Sequence, residues 1–158
     1  MTTALQSHAT DMIQLGTFSL GTEEFAVDLL KFREIIRMLP ITKVPCAEDF
    51  VEGAINLRGV IIPIVNLRAR FRMPHKPFDK ETRIINMDVD GLTIGFIVDS
   101  IGQVSRIPAN SVEPPPAVIA CVDSEYISGI SNINDKLLII LDVDKIMSPE
   151  TLLQLAQI

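Results

Sequence analysis

The sequence predicts a mainly β protein of two small, related barrels, with short helices and a C-terminal helix. Three observations lead there. Apolar runs are short and bounded by turn signals, as strands require. The stretch GAINLRGVIIPIVNLRARF, residues 53–71, aligns without a gap to GISNINDKLLIILDVDKIM, residues 129–147. And 158 residues at 47% hydrophobic content suffice for a core, while each half falls below about 100 residues and buries too little surface to stand alone.

Taken in order, residues 1–12 lack an apolar pattern and read as a flexible N-terminus, without the basic start and apolar stretch of a signal peptide. Ile13 to Leu20 reads as a strand, Gly21-Thr22-Glu23 as a turn, and Phe25, Val27 and Leu29 alternate as a returning strand. Lys31 to Met38 fits either a short helix or a strand end. Glu48 to Gly53 resembles a helical turn before a strand, Ala54 to Leu57. Arg58-Gly59 is a turn, Val60 to Val65 returns, and Asn66 caps a short helix over Leu67 to Phe71. Pro63 donates no ladder bond, which places its strand at an edge or beside a bulge.

Residues 72–81, RMPHKPFDKE, form the clearest linker and the approximate boundary between the two sub-barrels, with strand exchange between them left open. Thr82 to Val89 and Leu92 to Val98 flank an Asp90-Gly91 hairpin turn, and Ile101 to Ile107 continues the set. After the prolines 114–116, Glu125 to Ile133 and Lys136 to Leu141 make another hairpin. Ser148 caps a last helix with Pro149 in its first position, and Leu152, Leu153 and Leu155 for packing.

The repeat carries more weight because a second echo precedes each copy. Phe25-Ala26-Val27 followed by Phe32 and Ile35 resembles Ile94-Gly95-Phe96 followed by Ile101 and Val104, in the same order. The six-residue apolar run Val60–Val65 would point to both faces of a sheet. One face fills its own barrel. The other must meet the second barrel or a partner, which gives a contact surface.

The chemistry of catalysis is thinly represented. His8 lies in the N-terminal segment and His75 in the proline-flanked linker, so they make no base or metal pair. Cys46 and Cys121 have no ligand spacing and read as reduced thiols of a cytoplasmic protein. No phosphate-binding loop, dinucleotide fingerprint or nucleophile elbow occurs. Asp88 with Asp90, and Asp142 with Asp144, are explained by a turn and a helix start. A net charge of -6 disfavours nucleic-acid and anionic-membrane binding. The one basic cluster, Arg58, Arg68, Arg70, Arg72 and Lys76, lacks interleaved aromatics. Within it Arg58 stands apart, because a hairpin tip presents its planar fork to a carboxylate across an interface.

NLRGVIIPIVNLRARF with Gly53 before it, FSLGTEEFAVDLLKFREI upstream, and EYISGI and LLIILDVDKIM near the end resemble the CheW-type chemotaxis coupling proteins, over about residues 13–155 as a single domain. The resemblance implies two intertwined five-stranded SH3-like barrels and a non-catalytic, cofactor-free adaptor. It implies as partners the cytoplasmic tips of methyl-accepting chemoreceptors and the regulatory domain of a CheA-type histidine kinase. Carried over singly, Arg58 matches the family arginine of N-L-R-G, Glu34 the acid of its V-x-E-I stretch, and Phe32 a position usually held by valine or methionine. Ile84 and Ile85 fall on the strand expected to line a receptor-binding groove. Asn66 replaces a common aspartate, and Glu48 a frequent proline. An adaptor for a non-flagellar chemosensory pathway and a small-ligand-binding β-barrel are the competing readings.

Overall fold

The structure, a computed structural model, describes residues 11–116, 118–119 and 122–158. The expected N-terminal flexibility falls on residues 1–10, outside that range, while Met12 already belongs to the first strand. The strands in chain order are β1 (Met12–Leu20), β2 (Glu23–Asp28), β3 (Phe32–Arg37), β4 (Val51–Leu57), β5 (Val60–Asn66), β6 (Arg83–Val89), β7 (Leu92–Val98), β8 (Ser100–Pro108), the two-residue β9 (Val118–Ile119) and β10 (Val122–Asp123), β11 (Ile127–Ile133) and β12 (Lys136–Leu141). Among the described residues, short α-helices follow hairpins or close the chain: α1 (Leu67–Arg70), α2 (Val143–Ile146) and α3 (Pro149–Ala156).

Two five-stranded sheets carry the fold. The terminal sheet runs β11-β12-β2-β1-β8, and the central sheet runs β3-β6-β7-β5-β4. The two halves of the sequence occupy matching strand positions in the two sheets, and they are interlocked. Copy one places its opening hairpin, β1–β2, in the terminal sheet and β3, β4 and β5 in the central one. Copy two does the reverse. In each, the inner strand of the closing hairpin runs parallel to the opening hairpin of the other copy, β5 beside β7 and β12 beside β2. The segment 72–81 divides the sequence copies, but it joins two strands of one sheet and so does not divide the sheets.

The local differences from expectation have plain causes. Phe32–Arg37 is a strand because it pairs along β6, while Leu29 falls in a 3₁₀ turn capped by Asp28. The helical turn at 48–53 shrinks to one Val51-to-Glu48 hydrogen bond before β4 begins. Glu48 has another use: its carboxylate accepts the Thr151 hydroxyl at 2.6 Å, anchoring α3. Pro63 sits in an inner strand, yet parallel pairing with β7 starts only at Ile64. Its neighbour Ala54 spends both backbone groups on Thr42, so Pro63 faces no ladder partner that needs an N–H.

Among the described residues neither sheet closes through a strand pair. Each curls until the segment after one edge strand meets the other edge: Thr42 bonds Ala54 at 2.9 and 2.8 Å, and Glu113 bonds Ile130 at 2.8 and 2.9 Å. Both bridges sit beside a bulge that needs glycine. A Cβ on Gly53, at φ 145°, would lie 2.0 Å from the Thr42 carbonyl oxygen, and one on Gly129 2.4 Å from Val112.

Three apolar cores result. Ile55, Ile62, Ile64, Ile84 and Ile97 fill the central sheet, and Leu15, Ala26, Ile107, Leu138 and Ile140 the terminal one. A larger core lies between the sheets, where Phe18, Phe25, Val65, Ile85, Phe96 and Ile139 meet. The two-faced run at 60–65 is thereby explained. Ile62 and Ile64 point into their own sheet, Val65 points to the shared core, and Val60 and Ile61 remain 59% and 50% exposed.

Two ion pairs clamp the copies together at matching places. Arg68, second residue of α1, donates Nε and Nη2 to Asp99 at 2.8 and 2.6 Å, and Asp99 also accepts the Gly21 N–H of the β1–β2 turn at 2.7 Å. In copy two the second residue of α2 is Asp144. It accepts Lys31 Nζ at 2.8 Å and the Asp90 N–H of the β6–β7 turn at 3.0 Å. The architecture repeats with the charges exchanged.

Candidate docking site

The hairpin between β4 and β5 turns through Arg58 and Gly59, both with positive φ, 51° and 85°. Such a turn matches the twist of the flanking strands, and Asn56 Oδ1 fixes it by accepting the Gly59 N–H at 2.9 Å. The tip carries Arg58 across the mouth of the curled sheet to Glu34 on β3. There the guanidinium grips the carboxylate with Nη1 at 3.2 Å and Nη2 at 2.5 Å. The hydrogen bonds from Arg58 hold the Glu34 carboxyl below its ordinary pKa, and Glu34 in turn raises that of Arg58. The Arg58 side chain is 68% exposed and that of Glu34 37%, so solvent screens the pair and it adds little to stability.

Apolar surface surrounds this pair. Ile35, next to Glu34, is 44% exposed, and Val60 and Ile61 follow Arg58 on the same hairpin. Val104 on β8 occupies in the terminal sheet the place Ile35 holds in the central one, and it too is exposed. The ring of Phe32 lies over Gly16 of β1, where a Cβ would come within 2.4 Å of it, and it packs against the shared core. Phe32 thus seals the seam between the sheets beside the pair.

Ile84 and Ile85 need correction. Both are fully buried, Ile84 in the central core and Ile85 in the shared one. Their strand, β6, lies between β3 and β7, with one face on each core. Neither side chain is available to a partner, and Ile35, which pairs with Ile85 across the ladder, is the exposed neighbour. Position in the sheet, absent from the sequence pattern, decides which isoleucine is out.

The basic cluster dissolves into structural roles. Arg68 belongs to the clamp. Arg70 stacks between Phe50 and Tyr126, with Nε on the Ile146 carbonyl at 2.7 Å and Nη2 on the Tyr126 hydroxyl at 2.6 Å. Lys76 pairs with Asp79 at 2.7 Å, and that bond leads the causes that draw the Asp79 pKa down to about 2.

The aspartates are likewise engaged. Asp88 accepts Arg33 Nη2 and the Gly91 N–H, both at 2.9 Å, and Asp142 caps α2. His75 and Cys46 are exposed, while His8 and Cys121 lie outside the described residues. Among the described residues no three metal-ligating side chains converge, and no helix is long and apolar enough to cross a membrane.

Comparison with known proteins meets this geometry. A model of the CheW-like domain matches residues 14–150. The chain is 33% identical over 133 residues to the chemotaxis protein CheW of Klebsiella aerogenes, covering 84% of this chain and 80% of that one. Against the chemotaxis protein CheW of Treponema pallidum it is 34% identical over 152 residues, covering 94% and 89%. The crystal structure of the scaffolding protein TtCheW from Thermoanaerobacter tengcongensis superposes with a TM-score of 0.81 at 35% identity, covering 88% of this chain and 90% of that one. With its mainly β, two-sheet architecture and its match over most of the length, the chain belongs to the CheW-like domain family, a family of non-catalytic chemotaxis scaffolds.

Proposed function

We propose that this protein is a cytoplasmic adaptor that couples the tips of methyl-accepting chemoreceptors to a CheA-type histidine kinase. The observation that carries the reading is the Arg58–Glu34 pair, held on a rigid hairpin tip amid exposed Ile35, Val60 and Ile61. A receptor tip is helical, and the exposed apolar residues of the edge strands β3 and β8 suit apolar anchors at helical spacing. Arg58 and Glu34 supply a polar reference beside them, since each can exchange its internal partner for one across the interface. Phe32 sets the floor of that contact, and the buried Ile84 and Ile85 hold β3 in register.

Signal passes through such an adaptor only if the alternative signalling states of receptor and kinase bind it with different free energies. Weak individual contacts suffice when many adaptors sit in one assembly, because effective concentration multiplies them. Co-purification of the full chain with a receptor-tip fragment and with the kinase regulatory domain tests the reading. Wild-type protein should retain both, while Arg58→Ala and Glu34→Ala should fold normally and lose at least one. Unchanged capture by both variants would remove the site from the function.

A further inference from the structure

The two clamps frame two equivalent spaces with different contents. In copy one, the space between the β1–β2 turn and α1 receives the chain itself. The Met73 N–H donates to the Arg68 carbonyl at 2.8 Å, Arg68 Nη1 donates to the Pro74 carbonyl at 2.8 Å, and the Met73 Cε sits 3.6 Å from where a Gly21 Cβ would be. The Met73-Pro74 segment thus covers the apolar floor, and a cavity of about 310 Å³ remains. In copy two, the matching space between the β6–β7 turn and α2 is an open groove of about 840 Å³. Val89, Leu92 and Met147 line it, and α3 walls it with Leu152 and with Leu153, which is 66% exposed although its neighbour Leu155 is buried.

The rim differs in charge as well. Where copy one has Arg68, copy two has Asp144, whose charge Lys31 meets at 2.8 Å, and Asp90 and Glu125 add two further carboxylates to the rim against Lys145. Among the described residues the carboxylates of Asp90 and Glu125 have no ion-pair partner. We propose that this groove docks a short extended segment of a partner protein, with a large unbranched apolar side chain at its centre and lysine or arginine beside it. Copy one supplies the template for the backbone and the apolar anchor, since a residue before proline is held extended. The acidic rim supplies the sign of the flanks. The groove shares no residue with the Arg58–Glu34 corner, so it serves a contact additional to those proposed above.

An array of short peptides, each with a central Met or Leu and flanks of Lys, Ser or Glu, tests this with the intact chain. Lys-flanked peptides should be retained about 10-fold better than Glu-flanked ones, and Leu153→Ser or Glu125→Lys should each cost about 10-fold. Leu153 is solvent-exposed and Glu125 lies in a 3₁₀ turn, so an unchanged melting curve confirms that both variants fold. Methyl NMR should show the shifts at Leu92 and Leu152. Equal retention of Lys- and Glu-flanked peptides, no retention, or retention indifferent to Leu153→Ser would overturn the proposal. So would a concentration-dependent dimer abolished by Leu153→Ser, which would make a second copy of the chain the occupant.

Discussion

Arg68 and Asp99 form a two-point ion pair between a short helix of one sequence copy and the β7–β8 junction of the other, with both side chains less than one-sixth exposed. The interlocked sheets give this pair its importance. Each copy contributes a hairpin to the other's sheet, and the pair fastens that hairpin turn through the Gly21 N–H. Arg68→Ala leaves a largely buried carboxylate facing one backbone donor. It should destabilise the fold by about 2 kcal/mol, short of the cost for a fully buried pair because both groups keep some solvent. Urea unfolding at neutral pH measures this, and a midpoint unchanged from wild type would deny the clamp its role.

The same carboxylate predicts a pH dependence. Burial pushes the Asp99 carboxyl up, but the bonds from Arg68 and the Gly21 N–H outweigh it and hold the folded pKa below the ordinary value. A carboxyl lowered by folding contributes stability that is complete above its unfolded pKa, about 3.9, and is lost as pH falls through the folded pKa. Stability should hold from pH 7 to about 5 and then decline. Asp99→Asn should be less stable at pH 7 and show a shallower acid decline. Parallel curves for the two proteins would place the acid sensitivity elsewhere.

Much of this fold was legible in the sequence. The Arg58-Gly59 and Asp90-Gly91 turns, the Asn66 and Ser148 caps, and the 53–71 and 129–147 repeat all stand where local chemistry placed them. Local chemistry does not choose a partner strand, however. A β1–β2 hairpin satisfies its own pattern in either sheet, so exchange between copies left no mark on the alternation. The same limit hid the burial of Ile84 and Ile85, since adjacent isoleucines look alike whether their strand is inner or outer. One signal was present in the pattern: Arg68 and Asp144 fall at aligned places in the repeat with opposite charge, and their partners Asp99 and Lys31 lie within one residue of aligned places. Arg58 was legible from its hairpin tip and Glu34 only through family resemblance, and their pairing was legible from neither, because nothing in the spacing of residues 34 and 58 brings them together.

Two glycines separate crowding from backbone strain. Gly53 has positive φ and a carbonyl oxygen in the space a Cβ would take, whereas Gly59 has positive φ and nothing within 4 Å. Gly53→Ala should cost about 3 kcal/mol, through overpacking and a displaced bridge. Gly59→Ala should cost about 1 kcal/mol, the strain of a left-handed alanine alone. Equal losses in denaturant titrations would show that the Thr42–Ala54 bridge does not hold the sheet edge closed.

Two isoleucines one ladder step apart separate core from surface. Ile84→Ala empties space in the central core and should cost about 3 kcal/mol. Ile35→Ser removes an exposed side chain and should change stability by less than about 1 kcal/mol. Receptor-tip capture should behave inversely, weakened by Ile35→Ser while the folded fraction of Ile84→Ala still binds. Normal capture by Ile35→Ser would move the contact away from β3.

A charge exchange decides what the Arg58–Glu34 pair is for. If the two residues matter only to each other, the double variant Arg58→Glu with Glu34→Arg restores the internal bond and with it wild-type capture of receptor and kinase. If either residue meets a partner, the exchanged charges face that partner with the wrong sign, and the double variant stays defective even though it folds. The exposure of the pair favours the second outcome: solvent screens the internal bond, while a docked partner would exclude that solvent and strengthen any bond across the interface. Capture by the double variant should therefore fall at least about 10-fold below wild type, with thermal unfolding shifted by less than about 3 °C. Recovery of full capture would reduce the pair to a brace for the hairpin.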